Sequence, residues 1–558
     1  MMESLFAAGR KALASFYATL CGAGLILGAL FVAASLTPSL VPRSPLTQGV
    51  LSGLCFSAGY ALGAWLRWLW RRLGWPETKG PWRARWLGLM LTACVVAMLA
   101  ALWWATTWQN RLRARMQMPE MDGVGMLTTA TLAMVVFAML LIAVRGFGWV
   151  RRVLSRRLKR RIPAPTAAVL ASIATVLIFW TLANGVLVNV GMRMLDRLYS
   201  ERDARIEEDL PQPLDALKSG GPGSLLQWKT LGRQGRRMIA DGPDRAGIEA
   251  VTGHPALEPL RVYVGLGSAE TPQARASLAL EELVRVGAFE RSVLVIATPT
   301  GTGWVDGESQ RALEYLLHGD VATVAVQYSY FASWLALLSQ PEYGVETARA
   351  VFATIYEHWR GLPRERRPRL YLHGLSLGAF HSDRSHDLAQ VIGDPYDGAL
   401  WAGPPFNTPT WRAATRTRDA GTPAWLPRVR NGEVMRFTSQ RNHLNDGHER
   451  DARWGRYRIV FLQYASDAVT FFEPGSLWHR PDWMQPPLGP DVSPDIVWIP
   501  VVSFLQLAVD LMVAVSPPKG FGHTYAFAHY VDAWAALTGP STWWTDSRID
   551  ALKQHVSP

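Results

Sequence analysis

The sequence predicts an all-α membrane bundle of about five spans, followed by an α/β domain with a mostly parallel sheet. The N-terminal third consists of long apolar runs, whereas the C-terminal half alternates short strand-like runs with amphipathic helical stretches. A Gly-x-Ser-x-Gly pentapeptide also separates one strand-like run from a helix-like one. We expect residues 1–195 to form the transmembrane helical domain, 196–259 a linker and domain edge, and 260–558 the α/β domain.

Five apolar runs are each long enough to cross a bilayer, at residues 13–36, 49–66, 86–108, 126–144 and 164–190. Because further spans follow the first run, we do not expect it to be a cleaved signal peptide. A sixth run, at 497–515, carries Gln506 and Asp510. We expect it to pack within the α/β domain or to lie on the membrane surface.

Basic residues are unevenly distributed among the loops. The loops between the second and third runs and between the fourth and fifth runs are rich in arginine. The loop between the first and second runs contains one basic residue, Arg43. The positive-inside rule predicts that the rich loops face the cytoplasm, which puts the α/β domain outside the cytoplasmic membrane. The net charge of +12 then reflects loops that meet anionic lipid, and no nucleic-acid partner is expected.

The pentapeptide Gly374-Leu375-Ser376-Leu377-Gly378 follows an apolar strand-like run. Strand, Gly-x-Ser-x-Gly and helix is the pattern of a nucleophile elbow, in which a strained turn exposes the serine hydroxyl. Glycines two before and two after the serine let the strand and helix pass closely. We therefore predict Ser376 to be a catalytic nucleophile.

A serine hydroxyl needs a base to take its proton, and the base needs a carboxylate to orient it. Asp467 ends an apolar strand-like run, and His523 lies in a glycine-flanked loop before a helix. Their order along the chain after Ser376 is the order that the α/β-hydrolase fold uses. The rivals left open are, for the acid, Asp482, Asp491 and Asp495, and, for the base, His529.

The negative charge of a tetrahedral intermediate requires hydrogen-bond donors. We expect one from the backbone N–H of Leu377, the residue after the nucleophile. The second should come from the loop after the strand-like run 292–297, where Gly301, Thr302, Gly303 and Trp304 are the candidates. The loop at 265–268 is the competing possibility.

Aromatic residues near the predicted loops suggest an apolar or sugar-stacking substrate site formed by Tyr328, Tyr330, Trp401 and Phe406. Packing in the core is the alternative for each of them. In the linker, arginines at 233, 236 and 237 either bind an anion or are part of a domain edge.

Cofactor and metal chemistry have no support in the sequence. All three cysteines fall in predicted spans, so the α/β domain has neither a cysteine nucleophile nor a disulfide. We find no zinc-ligand spacing and no P-loop, and the loop at 265–268 lacks the third glycine of a dinucleotide-binding motif. Neither a metal nor a cofactor is expected.

The sequence resembles the bacterial polytopic membrane proteins whose C-terminal part is an α/β-hydrolase domain with its own N-terminal membrane domain. The stretches that carry the resemblance are 231–236, 298–306, 327–330, 372–378, 400–406, 462–467, 480–483 and 520–525. The resemblance implies a triad of Ser376, Asp467 and His523, and a multi-pass protein of the bacterial cytoplasmic membrane. One departure is Leu375, since an acidic residue often precedes the serine in that family.

Two functions from different classes remain open. One is a serine esterase, lipase or acyltransferase that acts on an ester of a membrane lipid or an envelope glycan. The other is a transporter or scaffold whose hydrolase-like domain binds without reacting. A complete triad favours the enzyme.

Overall fold

The computed structural model describes residues 20–76, 81–123, 125–331, 341–444 and 453–556. They divide into two compact units. The first, the helical unit, contains the described residues up to Leu187 together with Glu473–Met484 and Pro490–Val513. The second, the sheet unit, contains Val188–Phe472, Gln485–Gly489 and the described residues from Ala514 onward.

In chain order, the helices are α1 Gly22–Ser35, α2 Pro45–Arg72, α3 Pro81–Arg115, α4 Met126–Leu158, α5 Ala164–Thr181, α6 Asn189–Ala204, α7 Gly232–Ala240, α8 Arg245–Thr252, α9 Pro272–Arg285, α10 Gly307–Leu316, α11 Pro341–Gly361, α12 Leu377–Asp383, α13 Leu388–Val391, α14 Pro409–Arg416, α15 Ala468–Phe471, α16 Val502–Met512, α17 Phe527–Thr538 and α18 Asp546–Val556. The strands are β1 Leu260–Val264, β2 Val293–Thr298, β3 Val321–Val326, β4 Arg369–Leu375, β5 Gly398–Ala402, β6 Met435–Thr438 and β7 Arg458–Leu462. A π-helical segment, Leu182–Val188, joins α5 to α6.

The helical unit contains long apolar helices, as predicted. Among the described residues, four segments are long and apolar enough to cross a membrane: Pro45–Arg72, Gly88–Arg115, Met126–Leu158 and Ala164–Gly185. About five were expected. The first expected span is represented by α1, an apolar helix of 14 residues, and the part of that span before residue 20 lies outside the described residues.

Glycines allow α1 and α2 to approach each other at backbone distance. A Cβ on Gly59 or Gly63 would lie 2.5 Å from a carbonyl oxygen of α1, on Leu27 or Ala23 respectively. Small residues at a helix crossing are typical of membrane bundles, where close van der Waals packing replaces the hydrophobic effect between helices. These two helices are therefore tightly joined.

Helix α16 also belongs to the helical unit, where Val502 and Val509 pack against Leu51 and Cys55 of α2. The prediction that this apolar run packs within the α/β domain is therefore wrong. The physical reason is that the carboxylate of α16 has buried polar partners in the segment between α1 and α2. Asp510 accepts the backbone N–H of Leu40 at 2.9 Å and lies 4.0 Å from the guanidinium of Arg43.

Seven parallel strands of the described chain form one sheet, in the order β1-β3-β2-β4-β5-β7-β6. Most of their residues are buried, as expected when helices cover both faces of a parallel sheet. This confirms the predicted α/β architecture. Strand β6, four residues long at one edge, was not predicted.

The segment before residue 260 is more than a tether, because α7 packs closely on the first strand. A Cβ on Gly235 would lie 2.3 Å from the ring of Tyr263. Two of the linker arginines, Arg233 and Arg237, are bound to Glu207 at 2.7 and 3.0 Å. These contacts match the domain-edge interpretation of the linker arginines, since the carboxylate occupies the positions that an external anion would take.

Candidate active site

The turn between β4 and α12 has the geometry of a nucleophile elbow. Ser376 has φ 56° and ψ −127°, a conformation that L-residues adopt at a cost and that clusters at functional sites. A Cβ on Gly374 would lie 2.3 Å from the backbone of Gly378, and one on Gly378 would lie 2.2 Å from the carbonyl oxygen of Thr298. The backbone therefore leaves no room for a side chain at either glycine.

Asp467 and His523 are paired. His523 Nδ1 lies 2.7 Å from Asp467 Oδ2, and both side chains are buried. The other oxygen of Asp467, Oδ1, accepts the backbone N–H of Val469 at 2.8 Å, which fixes the carboxylate at the start of α15. A proton on Nδ1 leaves the lone pair of Nε2 available as a base.

Ser376 lies beside this pair. Its backbone N–H donates to the carbonyl of Ala402 at the end of β5, 3.0 Å away. The next residue, Gly403, has φ 48°, and a Cβ there would lie 2.8 Å from His523 Cε1 and 3.0 Å from Asp467 Oδ2. The three predicted residues thus converge at the carboxyl ends of β4, β5 and β7.

The hydroxyl of Ser376 does not bond to His523 in this conformation, because Nε2 has no hydrogen-bond partner among the described residues. Catalytic hydrogen bonds are often long before substrate binds. Both side chains are largely enclosed, at 7% and 8% exposure.

Tyr525 is a site residue that sequence reasoning missed. Its hydroxyl donates to Asp467 Oδ2 at 2.7 Å. Burial and the neighbouring Asp467 charge raise the pKa of Tyr525 well above its usual value, so it remains a donor. The sequence offered one signal only, its place two residues after His523.

The rival residues are engaged elsewhere. His529 Nδ1 bonds to the hydroxyl of Tyr464 at 2.6 Å, and burial lowers the pKa of His529 to about 4. Asp482, Asp491 and Asp495 all belong to the helical unit. Among the four acids considered, Asp467 is the one that the structure brings to His523.

The loop after β2 adjoins the elbow, because β2 is the neighbour of β4 and Thr298 pairs with Gly374. Leu377 begins α12, so its N–H has no acceptor within the helix. In the loop, the N–H of Gly303 donates to Thr300 within a turn, at 2.9 Å. One of the N–H groups predicted to bind the oxyanion is therefore already hydrogen-bonded within the loop.

Gly303 has a structural role of its own, since a Cβ there would lie 2.5 Å from the hydroxyl of Tyr263. For Gly301, Thr302 and Trp304 the donor role stays a prediction. The competing loop at 265–268 follows β1, three strands away from β4 in the sheet.

The four predicted substrate-binding aromatics have different surroundings. Tyr328 and Tyr330 line a cavity of about 300 Å³. Phe406, half-buried, packs edge-on against Phe472 with ring centres 5.2 Å apart. Trp401 is buried in β5, where its Nε1 donates to Ser382 of α12 at 3.0 Å. Trp401 thus links the elbow helix to the sheet, and we do not include it in the proposed substrate site.

Two family models match this sequence. Residues 260–552 match one described as the alpha/beta-hydrolase family, and residues 36–243 match one described as the N-terminus of that family. Together they extend over most of the sheet unit and most of the described apolar helices. No curated protein matches the chain.

Among solved structures, one from work on LipS and LipT, two metagenome-derived lipolytic enzymes, has 20% sequence identity and a TM-score of 0.15. The match covers 25% of this chain and 53% of that one. The chain thus spans about half the length of that structure. A likeness this slight carries no inference about function.

Proposed function

This chain belongs to the α/β-hydrolase family, and on that premise we propose that it is a membrane-anchored serine hydrolase or acyltransferase. Its substrate is an ester of a membrane lipid or an envelope glycan. The observation that carries the proposal is the 2.7 Å bond between His523 and Asp467 beside a strained serine elbow. The apolar helices would bring the catalytic unit to substrates in or near a membrane.

In the first half of the reaction, Ser376 Oγ attacks the ester carbonyl carbon. His523 Nε2 takes the hydroxyl proton as the new C–O bond forms. Asp467 keeps the proton of Nδ1 in place and stabilises the positive charge that develops on the imidazole. Tyr525 supports this role by holding the carboxylate that orients the base.

The carbonyl oxygen becomes an oxyanion in the tetrahedral intermediate. The N–H of Leu377 is one donor, and an N–H from Gly301, Thr302 or Trp304 is the other. When the intermediate collapses, His523 returns its proton to the leaving alcohol, and an acyl-enzyme on Ser376 remains.

In the second half, an acceptor hydroxyl attacks the acyl-enzyme while His523 takes its proton. Water as the acceptor gives hydrolysis, and a lipid or sugar hydroxyl gives acyl transfer. Leu375 adds an apolar side chain beside the nucleophile, where related sequences often have an acid. A drier site of this kind favours acceptors other than water.

The test is turnover by the full-length protein purified in dodecyl maltoside, with p-nitrophenyl butyrate and ester lipids as substrates. We expect wild-type turnover, and loss of it in Ser376→Ala and His523→Ala, because triad members act as one unit. Asp467→Asn should cost somewhat less. Asp482→Asn is the matched control, since Asp482 is an exposed acid of the helical unit.

The alternative is a transporter or scaffold in which the hydrolase-like unit binds without reacting. Wild-type protein that turns over none of these esters and forms no acyl-enzyme would support that alternative. An Asp482→Asn defect larger than that of Asp467→Asn would instead mean that the wrong carboxylate has been assigned.

A further inference from the structure

The cavity of about 300 Å³ in the sheet unit is distinct from the serine elbow. It lies at the carboxyl ends of β1 and β3, where Leu266 and Tyr328 follow those strands. Ligands of parallel α/β sheets bind at this edge. The volume is at the lower end of the range for small-molecule sites, so one small polar group can fill it.

A buried arginine lines this cavity. Arg275 is 1% exposed, and its Nη1 donates to the backbone carbonyls of Ala269 and Glu270, at 2.8 and 3.2 Å. The remaining donor atoms, Nε and Nη2, have no hydrogen-bond partner among the described residues. A buried guanidinium with two unused donors is a costly feature unless an anion completes it, and phosphate suits its geometry.

The cavity also contains features that suit a cation. Three tyrosines line it, Tyr328, Tyr330 and Tyr343. Two exposed carboxylates, those of Asp196 and Glu270, belong to the same lining. Aromatic rings together with carboxylates recognise ammonium groups. A simple anion would be repelled by those two carboxylates.

The position of the cavity relates it to the elbow. Two strand spacings, about 10 Å, separate the end of β3 from the end of β4. Phe331 of the cavity wall packs in one apolar cluster with Leu377, the residue after the nucleophile. The cavity is therefore close enough to hold one end of a substrate whose ester reaches Ser376.

Chain connectivity bears on the source of the ligand. Asp196 comes eleven residues after Gly185, where the fourth candidate span ends. Even a fully extended chain of that length spans only about 40 Å. This lining residue therefore lies within that distance of the end of the candidate span, which a membrane lipid can reach only if the span is inserted.

We propose that this cavity binds the zwitterionic phosphodiester headgroup of a membrane lipid, with the phosphate on Arg275 and the amine-derived cation among the tyrosines, Asp196 and Glu270. The statement that this lipid is a substrate or acyl donor rests on the proposed function. Binding itself requires no catalysis.

The binding test uses full-length Ser376→Ala protein in dodecyl maltoside, so that no ester is consumed. Isothermal titration measures glycerophosphocholine, glycerophosphoethanolamine, glycerol 3-phosphate, inorganic phosphate and choline. We expect the two zwitterions to bind tightest. Arg275→Met added to this background should weaken them at least tenfold. Asp196→Asn should weaken the zwitterions and strengthen inorganic phosphate, because it removes a carboxylate that repels a simple anion.

The matched control is Arg291→Met, because Arg291 also donates to a backbone carbonyl, that of Glu258 at 2.9 Å, and does not line the cavity. It should bind the zwitterions like the parent. If Arg275→Met does not fold, the exposed substitution Asp196→Asn and the variant Tyr330→Ala still decide the question. Unchanged zwitterion binding in both would overturn the proposal.

Two further outcomes would also contradict it. Inorganic phosphate that binds as tightly as glycerophosphocholine would mean a plain anion site. Failure of every headgroup probe to bind would remove the site altogether.

Turnover separates this inference from the proposed function. With Ser376 intact, Arg275→Met should raise KM about tenfold for zwitterionic ester lipids and leave p-nitrophenyl butyrate unaffected. Equal losses on both substrates would mean a structural role for Arg275. If no ester is consumed but glycerophosphocholine still binds through Arg275, the proposed function falls and the headgroup site stands.

Discussion

Tyr525 donates a 2.7 Å hydrogen bond to Asp467 Oδ2, the same oxygen that accepts from His523. One carboxylate oxygen therefore orients the base while being held by a second buried donor. The Tyr525 ring also stacks on Tyr464, with ring centres 4.4 Å apart, which limits its movement. We infer that Tyr525 is a positioning residue for the catalytic pair.

Tyr525→Phe should lower kcat about tenfold, or roughly 1.4 kcal/mol of barrier, with little change in KM. With one donor fewer, Asp467 carries more negative charge toward the imidazole and favours its protonated form. The acid limb of the pH–rate profile should therefore move to higher pH. The control is Tyr530→Phe, which removes an equivalent 2.8 Å bond to Asp306 and should leave the profile unmoved. An identical profile for both variants would refute the positioning role.

Gly374→Ala should abolish turnover and lower Tm. The added methyl would meet the backbone of Gly378 at 2.3 Å, so the turn at the nucleophile must open. Overpacking typically costs about 1–3 kcal/mol, and here the rigid backbone leaves little room to relax. Gly393→Ala is the control, because a Cβ there would meet no other described residue within 4 Å apart from its chain neighbours. Full activity in Gly374→Ala would contradict the elbow geometry.

The buried pair of Arg43 and Asp510 should stabilise the helical unit only as a pair. Both side chains are fully buried, and the charged atoms lie 4.0 Å apart. Asp510→Ala leaves a buried guanidinium without its counter-ion and should cost about 3–5 kcal/mol, measured by thermal unfolding in detergent.

The double variant Arg43→Met/Asp510→Leu should recover much of that loss, because no charge remains uncompensated. Asp495→Asn breaks the exposed pair with Arg111, at 3.0 Å, and should cost at most about 1 kcal/mol. Equal effects of Asp510→Ala and Asp495→Asn would mean that burial of the first pair has no energetic consequence.

A topology experiment tests where the sheet unit lies. Of the four candidate spans, three lie between the first arginine-rich loop and the sheet unit, and one lies between the second arginine-rich loop and the sheet unit. Both numbers are odd, so the side of the sheet unit relative to those loops does not depend on the first apolar helix. The positive-inside rule then predicts an extracytoplasmic sheet unit. A reporter active only outside the cytoplasm should work when fused after Pro558 and be silent after Arg156. The reverse pattern would put the site in the cytoplasm and exclude envelope glycans as substrates.

Much of the fold could be predicted because apolar runs and their lengths are local properties. The run expected at 292–297 forms β2 to within one residue at each end, and the elbow strand was located from its apolar residues. Strand β6 was not predicted because its sequence, Met-Arg-Phe-Thr, is short and mixes apolar with polar residues. Its extended conformation is defined by pairing with β7. Four residues with two polar side chains give no period to detect.

Long-range partners account for what the sequence did not reveal. Helix α16 has the composition of a helix for either unit, and its position follows from the contact of Asp510 with Arg43, 467 residues away in the chain. The unpaired donors of Arg275 likewise become visible only when burial is known. Trp401 was a candidate for the substrate site with core packing as the alternative, and only the structure shows that its indole N–H is bound inside the core.

Ser376 is the proposed nucleophile of a working triad, and covalent labelling tests this most directly. Full-length protein in dodecyl maltoside should be incubated with a fluorophosphonate probe and the adduct mapped by peptide mass spectrometry. We expect one stoichiometric adduct on Ser376, absent in Ser376→Ala and strongly slowed in His523→Ala. Wild-type protein that remains unlabelled, or labelling that persists in Ser376→Ala, would contradict it.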